Sequence, residues 1–68
     1  GIFSMIGIIL HYSNLTQRGV ICDKDATRHP FHIKDWQDEI MLQRGMKVVF
    51  DLNSERQAIQ IRLHLIAA

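Results

Sequence analysis

Sixty-eight residues allow one domain with one thin core, burying about 60% of the surface the unfolded chain exposes. Hydrophobic residues at 47% and charged residues at 22% are globular values, which excludes disorder, collagen and coiled coil as global descriptions. Eight Lys+Arg against seven Asp+Glu leave a formal net charge of +1, so a duplex nucleic acid gripped by bulk positive charge is disfavoured.

In chain order, residues 1–4 read as a cloning remnant ahead of Met5, the expected natural start, and residues 5–66 as the domain. The apolar opening, Gly1 to Leu10, has no basic residue before it and no small-residue cleavage site after it, and is far shorter than the ~20 residues of a membrane span. Ten isoleucines and three valines favour strands, because β-branched side chains suit a pleated surface. Ile6 to Tyr12 is predicted as the first strand, bent at Gly7, and Arg18 to Cys22 as the second, after a turn at 13–17. Cys22, the only cysteine, reads as a small apolar strand residue in a reducing, cytoplasmic compartment. Asp23-Lys24-Asp25-Ala26 turns the chain into a third strand, about Thr27 to Ile33, which Pro30 confines to an edge or interrupts.

Lys34 to Leu42 carries Trp36 and Ile40 at helical spacing, with Asp35 as candidate cap, and Gln43-Arg44-Gly45 ends it. Met46 to Leu52 alternates Met46, Val48, Phe50 and Leu52 inward against Lys47 and Asp51 outward. After the polar turn 53–57, Ala58 to Leu65 places Ile59, Ile61, Leu63 and Leu65 on one face. The fold class expected is all-β: a five-stranded antiparallel barrel with a short helical or irregular segment between strands three and four. Ile9, Tyr12, Ile21, Phe31, Val48, Phe50, Ile59 and Ile61 are its expected core.

Several local words fall in a familiar order. Gly7-Ile8-Ile9-Leu10-His11-Tyr12-Ser13 looks like Gly-Lys-Val-Lys-Trp-Phe-Asn, Arg18-Gly19-Val20-Ile21 like Phe-Gly-Phe-Ile, and Pro30-Phe31-His32-Ile33 like Phe-Val-His-Phe. Leu42-x-x-Gly45-x-x-Val48-x-Phe50 and Gln57-Ala58-Ile59-Gln60-Ile61 complete the series. From Gly7 to Arg62 the chain resembles the cold-shock domain, an oligonucleotide-binding (OB) barrel that holds single strands on exposed aromatics. Gly7-x-Ile9-Leu10-x-Tyr12-Ser13, Gly19-Val20-Ile21, Arg28-His29-Pro30-Phe31 and Asp35-Trp36 also look like small cold-shock-like domains of uncharacterised bacterial proteins, some of which precede transmembrane helices. Leu65-Ile66-Ala67-Ala68 would suit either a natural end or the start of such a segment.

The resemblance places the nucleic-acid face at His11, Arg18, Val20, Pro30 and His32, yet only His32 keeps the family's residue type. Where the family stacks bases on Trp and Phe, this chain has His11, Arg18, Val20, Pro30 and Ile33. Each stacking platform is worth about 1–3 kcal/mol, so the resemblance implies weak binding of single-stranded RNA or DNA. Phe31 falls where the family points inward.

Other constellations carry less. His29-x-x-His32-x-x-Asp35 has metal-like intervals, but strand residues three apart face opposite ways, so these read as surface histidines and no metal is expected. Asp35, Asp38 and Glu39 read as a solvated helix face rather than an acid–base pair. Trp36 is either a lid on the core or an exposed interaction anchor. With no nucleophile elbow or phosphate loop, neither an enzyme nor a cofactor nor a small-molecule substrate is expected. The expected function is weak single-stranded nucleic-acid binding. The alternative is a protein-interaction or adaptor module, free or as the cytosolic head of a membrane protein.

Overall fold

The computed structural model describes residues 4–65. Five strands, β1 (Met5–Ser13), β2 (Arg18–Asp23), β3 (Arg28–His32), β4 (Lys47–Leu52) and β5 (Ala58–Leu63), form one antiparallel sheet in the order β3-β2-β1-β4-β5. β1 is central, and β3 and β5 are the edges, with no ladder between them among the described residues. β3 is therefore where Pro30, with no N–H to donate, is tolerated. No helix among the described residues is long and apolar enough to cross a membrane. Residues 1–3 of the remnant expected at 1–4, and the domain's end at Ile66, lie outside the described residues. Ser4 is described: its hydroxyl donates to Asp51 Oδ1 at 3.1 Å and accepts from Arg62 at 2.9 Å.

The core is Ile9, Ile21, Phe31, Leu42, Val48, Phe50, Ala58 and Ile61. Tyr12 and Ile59, expected in it, are only half-buried. Two bulges explain the departures from strict alternation. In β1 the register with β2 slips between Ile9 and His11, so the chain bends at Leu10 and not at Gly7. Gly7 stays in register, and its bareness serves close approach: a Cβ there would lie 2.6 Å from the Ile21 side chain and 2.7 Å from the Cys22 carbonyl.

The second slip lies between Val49 and Asp51 of β4, opposite Gln60, which adopts φ +50. It breaks the expected period-two stripe, so Ala58 and Ile61 face inward and Leu65 is exposed. In β4, Leu52 is exposed while Asp51 is buried against Ser4 and 4.0 Å from Arg62.

The short helical or irregular segment expected between strands three and four is one 3-10 turn, Ile33–Asp35, followed by irregular chain. His32 caps it, its Nδ1 accepting the Lys34 N–H at 3.1 Å, and Asp35 is its last residue rather than its cap. Beyond it the chain runs alongside β5, where Gln37 N–H donates to the Ile61 carbonyl at 2.8 Å and Asp38 accepts the Leu63 N–H. A helix would have consumed the Gln37 amide internally and left the β5 edge bare.

Two hairpin turns repeat one device. Asp23 Oδ1 accepts the N–H groups of Asp25 and Thr27, and Asn53 Oδ1 accepts those of Glu55 and Gln57. Each turn puts a non-glycine residue in the left-handed region, Ala26 at φ +65 and Arg56 at φ +64. Ala26→Gly should relieve that strain and raise stability by up to about 1 kcal/mol in urea denaturation. Gly19 is the opposite case. A Cβ on it would lie 2.6 Å from Phe31 Cζ, so Gly19→Ala should lower stability by about 1–3 kcal/mol in the same measurement.

Candidate nucleic-acid interface

Residues paired across an antiparallel ladder share a face. Inward, the rows are Ile9–Ile21–His29 and Tyr12–Gly19–Phe31. Outward, they are Lys47–Ile8–Cys22–Arg28, then His11–Val20–Pro30, then Ser13–Arg18–His32. The five residues singled out on sequence, His11, Arg18, Val20, Pro30 and His32, thus occupy two adjacent rows on the outer face of β1–β2–β3. The Leu10 bulge sets this up by leaving both Leu10 and His11 exposed while Tyr12 turns in against Phe31, with ring centroids 6.1 Å apart.

Two further cations complete the face. Arg28 and Lys47 end a four-strand row that spans three strand gaps, about 14 Å. Between them stand half-buried Cys22 and exposed Ile8, with Leu10 beside it; Ile8 and Leu10 are 49% and 41% exposed. No Asp or Glu occupies an outward ladder position of β1, β2 or β3; the only acid in these strands, Asp23, pairs with Gly7 and faces inward. Arg28 was within reach of the sequence, since period two links it to Pro30 and His32. Lys47 was already outward there, but its row became visible only with the β1–β4 register.

Arg18 and His32 also line a small hollow of about 100 Å³ with Lys34, Asp35 and Gln57, at the end of the third row. His32 spends Nδ1 on its cap, which leaves Nε2 as the ring nitrogen able to donate. The arrangement can offer guanidinium, ammonium and imidazole donors to phosphate oxygens, and the flat faces of His11 and Pro30 to a base or apolar group.

His29 does not join His32. It is buried, correcting the surface reading, with Nε2 2.8 Å from Asp23 Oδ2 and its ring tilted on Phe50 at 5.4 Å. Asp38 is not part of a solvated helix face, since it holds the Leu63 N–H. Trp36 is half-buried, packs against the core, and bridges to Ile61 through its backbone, in the manner of a lid. No family model matches this chain, and no curated protein matches it significantly.

The hydrogen bond from His29, opposed by desolvation and aided by the Thr27 and Asp25 amides, holds the Asp23 carboxyl below its ordinary value. A depressed carboxyl stabilises the fold above the unfolded value near 3.9, and that contribution is lost as pH falls through the lower folded value. Asp23→Asn should therefore be less stable than the parent at neutral pH. The gap should close as denaturation is followed downward from pH 4.

Proposed function

We propose that this chain is a cold-shock-like domain of OB type that binds single-stranded RNA or DNA weakly on the outer face of β1–β2–β3. The observation that carries the reading is a face with no Asp or Glu at the outward ladder positions of β1–β2–β3, on which His11, Arg18, Val20, Pro30 and His32 converge, flanked by Arg28 and Lys47. The strand order supports it: β1 pairs with both β2 and β4, the arrangement that lets a sheet curl until β3 and β5 meet. Phe31 and His32 of β3 and Ala58 of β5 line one hollow, which suits such closure.

Affinity is weak because stacking is almost absent. A single-strand binder normally adds base–aromatic contacts to an electrostatic groove, and here the groove stands nearly alone. Phosphate contacts by Arg18, Arg28 and Lys47 position a strand without reading its sequence.

The exposed pair Ile8 and Leu10, central to the same face, favours the second reading, a protein-interaction module. Fold alone does not decide between them. Titration of labelled heptanucleotides at two salt concentrations does. The expected dissociation constant is roughly 10 µM or weaker at physiological salt. Binding should weaken with salt, and Arg28→Ala or Lys47→Ala should each reduce the slope by about 0.7. An undetectable signal at low salt, with the fold intact by circular dichroism, would leave the interaction module standing.

A further inference from the structure

A cleft of about 450 Å³ opens between the end of β1 and the connection that follows the 3-10 turn. Tyr12, Ile33, Trp36 and Leu42 supply its apolar wall, and Ile40 and Met41, 57% and 76% exposed, stand at its lip. Its charged lining is Asp38 and Glu39; the cations of the same connection, Lys34 and Arg44, do not line it. Its sign is therefore opposite to that of the outer face of β1–β2–β3.

The cleft is held open by its own structure. The Trp36 indole N–H donates to the Ile40 carbonyl at 2.8 Å, Leu42 is buried in the core, and Asp38 is tied to the Leu63 N–H. Ile40 and Met41 are thus fixed between anchored neighbours and kept out of the core. The backbone that presents these two side chains loses little further freedom when they are covered, which lowers the ordering cost of a small apolar contact.

We propose that this cleft docks an extended segment of a partner protein in which one large apolar or aromatic side chain is flanked by Lys or Arg. The apolar side chain would lie against Trp36, Tyr12 and Met41, and the flanking cations would pair with Asp38 and Glu39 at the rim. A phosphate backbone is repelled by the same two carboxylates, so the site is separate from the proposed nucleic-acid face and does not depend on it.

The test uses Trp36, the chain's only tryptophan, as the reporter. A random-peptide display library is selected on the chain, and the enriched peptides are synthesised and titrated while Trp36 emission is followed. Enriched sequences should carry Lys or Arg around Phe, Trp or Leu, and should shift the emission saturably. Glu39→Lys and Met41→Asp change exposed side chains, so both variants should keep the parent's circular dichroism and bind the peptides about tenfold more weakly or worse. Arg28→Ala should bind them unchanged. The proposal is overturned if no sequence is enriched, if the enriched ones are acidic or uncharged, or if both lip variants bind as well as the parent. It is equally overturned if the emission shifts with protein concentration alone, which would make a second copy the occupant.

Discussion

The outer face depends on a close contact inside the sheet. Tyr12 and Phe31 stack across Gly19, where any side chain would collide with the Phe31 ring and the His11 carbonyl. For Tyr12 to reach that stack three residues after inward-facing Ile9, β1 must carry one extra residue, and the bulge at Leu10 supplies it. Strict alternation would send Ile9 and His11 inward together and leave Tyr12 outside. The bulge reverses this, so His11 joins Val20 and Pro30 in one row. The exposed chemistry is thus a consequence of an aromatic pair that is itself mostly hidden.

A net charge of +1 hides a division of signs. Asp35, Asp38 and Glu39 lie in the connection between β3 and β4, Asp25 and Glu55 lie in turns, and Asp23 and Asp51 are turned into hydrogen-bonded positions. Arg18, Arg28 and Lys47 remain on outward ladder positions. At physiological ionic strength charges are screened over about 8 Å, a distance shorter than the face is wide. A ligand on the β1–β2–β3 face senses Arg18, Arg28 and Lys47 far more than Asp38, Glu39 and the turn acids, with Asp35 the acid that shares a hollow with Arg18 and His32. Whole-chain charge is therefore a poor guide to what either surface of this small domain attracts.

The strands were legible because β-branched residues and Asx turns act locally. Asp23 and Asn53 close their hairpins with their own side chains, and a reader of the sequence needs no tertiary information to place them. The inward set Ile9, Ile21, Phe31, Val48, Phe50 and Ile61 was legible from period-two alternation in the last two strands together with the order of the local words, which alone placed Phe31 inward. The bulges were not. Gln60 is no favoured left-handed residue, and its φ of +50 is imposed by how β5 must meet β4. Likewise, the burial of His29 requires its carboxylate partner, Asp23, six residues earlier and across a turn. In the candidate site, residue identities and approximate strands were readable, whereas the addition of Lys47 needed a pairing between segments about forty residues apart.

An isoleucine-rich sheet without a disulfide must also protect its edges, and the two edges do so differently. β3 carries Pro30, which donates no hydrogen bond, between Arg28 and His32, a combination hostile to strand addition. β5 is covered from within the chain, by the segment from Trp36 to Asp38 that bonds to Ile61 and Leu63. That cover fixes where the connection leaves the sheet. Nine residues, 37–45, lie between Trp36 and Met46, whose carbonyl receives the Ile9 N–H, and Leu42 is the one among them that reaches the core. Among the described residues, no apolar surface then covers Ile40 and Met41. The exposed lip of the acidic cleft is thus a by-product of closing the β5 edge, and the charge beside it determines what kind of segment can cover it.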